Sequence, residues 1–268
     1  MGRHTLQFFN LTQTPGQDLC LKIPLCSIYS SVIDRAFPGL DHIGWREASK
    51  GTCYTYIKHI SESDKQRLDT LLQLLQQTLY LNRSEHLEPH FTTELDEAYA
   101  MGFNFQQGVE PLTYTPAGQL EHNAKELRHA PAIAELARVM ADIIRYHPTL
   151  ARVDIIAAVP PRPSKDFHLP THLVNAIGIN LPRAVGLQLS KAEVPKLKDL
   201  TLKQKISTLA GAFTLGESVE GRTILLVDDL YQSGTTLWSL ARFLKQQGAR
   251  EVYGLACVKS WRDTDNAS

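Results

Sequence analysis

Cysteine is scarce in this sequence, four residues in a chain of 268, too few and too scattered to staple a small disulfide scaffold. Cys20, Cys26, Cys53 and His59 come nearest to a metal set, but five residues separate the members of each pair, whereas tight zinc knuckles use about two to four. Buried or free thiols are the expectation instead. Net charge is also lacking: 28 basic residues balance 28 acidic ones, which removes any global electrostatic case for nucleic acid or membrane. No apolar run approaches the roughly 20 residues that span a bilayer. The opening "MGRHTLQFFN" lacks the apolar core and small-residue cleavage site of a secretory signal, so a cytoplasmic protein is expected.

What is present is an ordinary globular composition, 43% hydrophobic and 21% charged, with length for one large domain or two modest ones. The charge is unevenly divided. From Ala151 onward basic residues exceed acidic ones by four, and the first 150 residues carry the opposite imbalance. An anionic ligand is therefore expected in the C-terminal half.

Along the chain, the first 60 residues mix short apolar runs with Pro and Gly turn signals. Residues 61–82 predict a helix, with a Ser-rich start, acids in the first turn and Leu68, Leu71, Leu72, Leu75 and Leu79 on one face. Residues 103–120 carry Gly108, Pro111, Pro116 and Gly118 and read as loop or hairpin. A second helix is predicted over 130–147. After Pro148 the pattern changes. Apolar runs at 153–159, 223–227 and 251–258, with a shorter one near 183–188, alternate with helical segments near 168–178 and 235–247. Continuous apolar strands joined by helices indicate a parallel sheet covered on both faces. Ligands of such sheets sit at the carboxyl ends of the strands.

"ILLVDDLYQSGTTL" (224–237) carries the chemistry. An apolar strand runs into Asp228 and Asp229, then through Tyr231 and Gln232 to a turn of Ser233, Gly234, Thr235 and Thr236. A glycine turn that opens a helix presents free N–H groups and a positive dipole end to a phosphate. Paired carboxylates accept hydrogen bonds from a vicinal diol. Phosphate donors a few residues from diol acceptors describe a ribose 5-phosphate pocket. Tyr231 has two readings here, a stacking surface for a nucleobase or a packing side chain.

This stretch resembles the 5-phosphoribosyl 1-pyrophosphate (PRPP) motif of the type I phosphoribosyltransferases. "AAVPPRPSK" (157–165) is similar to that family's pyrophosphate-binding loop, which assigns Arg162, Ser164 and Lys165 to the diphosphate. "LKDLTLKQKISTLAGAF" (197–213) and 120–144 resemble segments of competence protein F. The resemblance implies an α/β, Rossmann-like core with helices on both faces, spanning 116–268, behind a mostly helical accessory region, 1–115. It implies PRPP as substrate, Mg²⁺ as cofactor, Asp228 and Asp229 as the catalytic pair, and the 231–236 turn at the phosphate. Lys191, Lys196, Lys198, Lys203 and Lys205 become candidates for a mobile closing loop. Gln232 replaces the aspartate that 6-oxopurine transferases use, which disfavours hypoxanthine and guanine. The chain stops soon after the last core strand, so acceptor recognition is expected from the N-terminal half. The alternative is a non-catalytic PRPP- or nucleotide-sensing module in a DNA-uptake or phage-defence system. In that reading the N-terminal region meets DNA or a protein, and a homodimer is compatible with either. His168 and His172, four residues apart without a carboxylate, are weak metal ligands.

Overall fold

A computed structural model describes residues 5–13, 17–49, 51–81, 83, 86–181, 184–195, 197 and 200–261. It divides into two compact units, one comprising residues 1–78 and 143–151, the other 79–142 and 152–268. Among the described residues no helix is long and apolar enough to cross a membrane.

The first unit contains β1 (Asn10–Thr12), β2 (Leu19–Pro24), α1 (Cys26–Ala36), β3 (Arg46–Ser49), β4 (Thr52–Ile57) and α2 (Glu62–Gln77). Its strands form an antiparallel sheet in the order β1-β2-β4-β3. Period-two alternation builds it: Leu19, Leu21 and Ile23 on β2 and Cys53, Thr55 and Ile57 on β4 are buried, with Cys20, Lys22, Tyr54 and Tyr56 between them more exposed. This corrects the expectation of a mostly helical N-terminal region. The strands are too short, and too interrupted by Pro and Gly, for a period to stand out in the sequence. Cys20 is a free thiol, as is Cys257 on the last strand of the chain, but Cys53 is disulfide-bonded, contrary to the expectation for all four.

Helix α2 starts as predicted. The Ser61 hydroxyl accepts the Asp64 N–H at 3.0 Å, and Leu68, Leu71, Leu72 and Leu75 are buried. It ends at Gln77 rather than 82, because the chain turns extended at Thr78. Leu79 thus belongs to a strand and not to the helical stripe.

The second unit begins with that strand, β5 (Leu79–Tyr80), followed by β6 (Glu97–Ala100), α3 (Pro116–Lys125) and α4 (Ala130–Tyr146), the last passing out of the unit after Asp142. Next come β7 (Ile155–Ala158), α5 (Leu169–Asn180), β8 (Ala184–Val185), β9 (Leu189–Lys191), α6 (Leu202–Leu209) and β10 (Phe213–Leu215). β11 (Thr223–Tyr231), α7 (Thr235–Gln246) and β12 (Glu251–Lys259) complete it. Six strands form one sheet in the order β5-β6-β12-β11-β7-β8. Only β5 runs antiparallel to its neighbour; the other pairings are parallel. β9 and β10 make a separate antiparallel ribbon.

The strand order fixes where a ligand can sit. From β7 the chain crosses through α5 to β8 on one side, and from β11 through α7 to β12 on the other. Right-handed crossovers in opposite directions place α5 and α7 on opposite faces. The direction therefore reverses between β7 and β11, and the crevice at the carboxyl ends of those two strands is the expected ligand position.

Residues 79–100, assigned from sequence to the accessory region, supply two strands of this sheet. β6 pairs with β12 from Glu97↔Tyr253 to Ala100↔Ala256, and the expected boundary at 115/116 falls inside the second unit. A chain beginning at Leu79 is expected to fold cooperatively. One beginning at Pro116 exposes the edge of the apolar β12 and is expected to aggregate. Circular dichroism melts and solubility of the two truncations check this; a soluble, cooperatively melting 116–268 fragment overturns it.

Candidate functional site

Strand β11 is longer than its apolar stretch suggests. It continues through the acid pair to Tyr231, paired to β12 as far as Tyr231↔Lys259, while its pairing to β7 ends at Val227↔Ala158. Asp228 and Asp229 thus stand just past the end of β7, at the crevice the topology defines. Asp228 is half-buried and lines a cleft of about 130 Å³ together with Lys205, Tyr231 and the 232–236 turn. Asp229 is 9% exposed. Its Oδ2 lies 3.0 Å from Nζ of Lys125, which also meets Oε1 of Glu121 at 3.3 Å.

The two carboxyls differ electrostatically. Burial and the charge of Asp229 push Asp228 up to about 8, so it holds a proton at neutral pH. Burial alone would raise Asp229 as well, but the cations Lys125 and Lys165 overcome it and hold that carboxyl below its ordinary range. Lys125 shows the mirror effect, with Asp229 and Glu121 outweighing the burial that disfavours its charge. The pair therefore holds one anion and one neutral acid.

The hydroxyl turn follows directly. Gly234 adopts φ +79° as the cap of α7, with no side chain capping that end. A Cβ there would stand 2.2 Å from the Tyr231 Oη. The Ser233 and Thr235 hydroxyls share a hydrogen bond of 3.0 Å, Thr235 is buried, and Gln232 and Thr236 are half-buried on the cleft. Backbone N–H groups of the first helical turn have no partner within the helix. Of the two readings for Tyr231, packing describes its position: the ring is 5% exposed and lies under the turn.

The basic loop leaves the end of β7. Arg162 is half-buried, and Ser164 and Lys165 are exposed. Its N–H groups are not all open, because Ser164 donates its backbone N–H and its hydroxyl to the Glu193 carboxylate at 3.1 and 3.0 Å. Glu193 follows β9 and occupies donors that an anionic ligand would use. Replacing it with Gln is expected to strengthen pyrophosphate binding by a few-fold, the scale of an exposed charge contact. Isothermal titration with pyrophosphate checks it, and an unchanged or weaker affinity refutes it.

Of the lysines proposed for a closing loop, Lys205 is buried on the cleft. Lys191 is buried on β9, its pKa lowered by burial despite the opposing charge of Asp228. Lys203 is exposed and lines no part of the cleft, and Lys196 and Lys198 lie outside the described residues. His168 is pushed down to about 4 by burial and by Lys165 and shares a 2.8 Å hydrogen bond with Thr171. The His172 ring stacks on Phe167. Among the described residues no cluster of three or more His, Cys, Asp or Glu side chains is arranged to hold a metal ion.

The sequence reading missed Lys125, Glu121 and Glu193. The first two form an i, i+4 pair, which in sequence is indistinguishable from a solvated surface pair. The segment that carries them is fixed at the carboxyl end of β12. Asn104 donates its N–H to the Lys259 carbonyl at 2.9 Å, and its side chain accepts the Trp261 N–H at 2.9 Å. The rings of Phe105 and Tyr114 from the intervening loop and His122 of α3 stack in a half-buried column. Pro116 and Gly118, read as loop signals, lie in the first turn of α3.

Residues 185–262 match the family model described as "Phosphoribosyl transferase domain". The chain is similar to the ribose-phosphate pyrophosphokinase of Parasynechococcus marenigrum (strain WH8102), with 32% identity over 96 residues covering 34% of this chain and 28% of that one. The corresponding enzyme of Nostoc sp. (strain PCC 7120) is 29% identical over 94 residues, covering 33% and 28%. The chain thus spans a little over a quarter of the length of these relatives. Among solved structures, a hypoxanthine phosphoribosyltransferase from Staphylococcus aureus matches at 13% identity and a TM-score of 0.33, over 51% of this chain and 67% of that one. An HGPRT-ase from Leishmania tarentolae in complex with GMP matches at 20% identity and a TM-score of 0.30, over 48% of this chain and 64% of that one.

Proposed function

We propose that the second unit is a phosphoribosyltransferase of the type I class, related to competence protein F, that binds PRPP with Mg²⁺. It transfers the ribose 5-phosphate to an acceptor and releases pyrophosphate. One observation carries the reading: Asp228 and a glycine-hydroxyl turn at a helix start line one cleft at the carboxyl end of β11, where the strand order reverses, and the basic loop leaves the carboxyl end of the neighbouring strand β7. The match of 185–262 to the phosphoribosyl transferase domain supports it.

In this reading the backbone and hydroxyls of Ser233, Gly234, Thr235 and Thr236 hold the 5-phosphate. Asp228 and Asp229 accept hydrogen bonds from the ribose hydroxyls, and Lys205 offsets phosphate charge from the other wall of the cleft. Arg162, Ser164 and Lys165 take the diphosphate. Displacement at the anomeric carbon passes through an oxocarbenium-like state, so the residues act by positioning and by neutralising the departing pyrophosphate. The donor set fits a cation that arrives with the ligand, since Asp228 presents a carboxyl to the cleft and no protein cage surrounds it among the described residues. Hard Mg²⁺ is usually held in this way, through substrate oxygens and few carboxylates, and it would supply charge neutralisation to the diphosphate. The acceptor meets the 103–122 segment, whose stacked rings offer a flat half-buried surface.

Pyrophosphate release from Mg·PRPP with a panel of nucleobases tests the assignment. Release with one acceptor class is the expected result. Tight PRPP binding without release from any acceptor would instead favour a sensing module.

A further inference from the structure

We propose that the open face of the antiparallel sheet in the first unit is a binding surface for single-stranded RNA. The inference concerns the first unit alone and does not depend on the ribose-phosphate reading of the second.

The topology leaves that face available. β2 and β3 are each antiparallel to β4, which lies between them, so they run parallel to one another. Helix α1 joins them, which makes a split β-α-β arrangement. β1 then closes the free edge beside β2 and completes a four-stranded sheet. One face of this sheet is closed. Leu19, Leu21, Ile23, Cys53, Thr55 and Ile57 are buried there, as are the apolar stripes of α1 and α2. The alternate residues point the other way.

On that second face the register builds a specific row. Asn10 pairs with Lys22, Lys22 with Tyr54, and Tyr54 with Arg46, so the four residues form one rung across all four strands. Tyr54 thus stands on a middle strand between two cations, each one strand spacing away, about 4.8 Å. Tyr56, two residues on, is 41% exposed and meets the Tyr54 ring edge to face, with centroids 5.8 Å apart at 85°. The only acid in the four strands, Glu47, pairs with buried Cys53 and so belongs to the closed face. Among the described residues neither Lys22 nor Arg46 has an ion-pair partner.

Aromatic rings beside unpaired cations on the middle strands of an open sheet suit an unstacked base and its phosphates. The rings take the flat faces of the bases and the cations take the backbone. A duplex keeps its bases inside the stack and gives the two tyrosines nothing to hold. Asn10, exposed at the end of the rung, supplies an amide for a ribose 2′-hydroxyl, the group that separates RNA from DNA. The balanced charge of the whole chain removes a long-range field but not this local one. Binding is therefore expected to be carried by stacking, with a shallow dependence on salt.

Fluorescence anisotropy of a labelled single-stranded RNA of mixed sequence and about ten nucleotides, titrated with the full chain at low salt, tests the proposal. Saturable binding is expected. Tyr54→Ala is expected to weaken it about tenfold, the scale of one stacked base. Tyr54→Phe, which keeps the ring, is expected to stay within about twofold of the unmodified chain. Lys22→Gln with Arg46→Gln is expected to flatten the slope of log affinity against log salt by about 1.4, the value for two phosphate contacts on a single strand. This pair carries the test should Tyr54→Ala fold poorly. Duplex RNA and single-stranded DNA of the same length are expected to bind more weakly than the RNA strand. Absence of saturable RNA binding overturns the proposal, as does an affinity unchanged by Tyr54→Ala in a folded chain or a salt slope unchanged by loss of both cations. Duplex or DNA binding as tight as that of the RNA strand overturns it as well.

Discussion

Asp228→Asn is expected to make the empty protein more stable than the unmodified chain at neutral pH, and to lose ligand. At that pH the carboxyl is held protonated by burial and by the neighbouring Asp229 charge, and asparagine is close to its isostere. If Asp228 gives up its proton when Mg·PRPP binds, a ribose hydroxyl bonded to its carboxylate loses a charge-assisted partner on substitution. That is about 1.5–3 kcal/mol, roughly ten- to a hundredfold in affinity. Asp229→Asn should behave differently. It leaves Lys125 and Glu121 without the third member of their group and breaks a largely enclosed ion pair. Loss of one partner of a fully buried pair costs about 3–5 kcal/mol, and the partial exposure of Lys125 brings the expectation to about 2–3 kcal/mol. Thermal shift with and without Mg·PRPP measures both quantities. An Asp228→Asn variant that keeps its full ligand shift would remove Asp228 from the site, and an Asp229→Asn variant of undiminished stability would make the Lys125 contact incidental.

The same pair predicts a pH signature whose sign follows from the direction of each shift. Burial and the Asp229 charge push Asp228 up to about 8 in the folded chain, above its ordinary value near 3.9. Its protonated form is fully accommodated below that ordinary value, and its share of stability is lost as pH rises through 8. Asp229 is lowered, so its contribution is present above the ordinary carboxylate range and lost in acid. The melting difference between Asp228→Asn and the unmodified chain should therefore grow from near zero at pH 4 toward pH 9, in favour of the variant. A difference that stays flat would mean that Asp228 is ionised throughout.

The part of the site legible in sequence is local. "ILLVDDLYQSGTTL" holds strand, acids, turn and helix start within a few residues, and each reads from its own chemistry. The loop after β7 was readable for the same reason, because a Pro-rich basic turn directly follows an apolar strand. Lys125 and Glu193 were not, since their roles exist only through contacts made across the fold. β6 shows the same limit on the fold side. Its four residues, Glu-Ala-Tyr-Ala, are all buried, so neither alternation nor an apolar run marks them. Glu97 is accommodated there by the Tyr99 hydroxyl, which donates to it at 2.8 Å. The antiparallel sheet of the first unit was hidden by strands too short to establish a period. Sequence also placed both aspartates in one role, while the three-dimensional surroundings give them different protonation states.

Gly234→Val is expected to damage both stability and binding, by separable routes. The residue sits at φ +79°, a left-handed conformation that costs an L-residue about 1–2 kcal/mol. Its new Cβ would stand 2.2 Å from Oη, 2.5 Å from Cζ and 2.9 Å from Cε2 of Tyr231. That ring belongs to the buried core cluster around Leu237 and Trp238 and has little room to retreat. Overpacking of this kind adds about 1–3 kcal/mol. Binding suffers independently, because a side chain at the turn fills the space a phosphate needs to approach the backbone. Adding Tyr231→Leu separates the routes. The smaller side chain relieves the clash, so the double variant should regain most of the lost stability, short of the backbone strain, and still fail to bind ribose 5-phosphate. If the double variant recovers binding along with stability, the glycine serves only the packing of Tyr231. The phosphate cradle would then have to be sought at another part of the cleft.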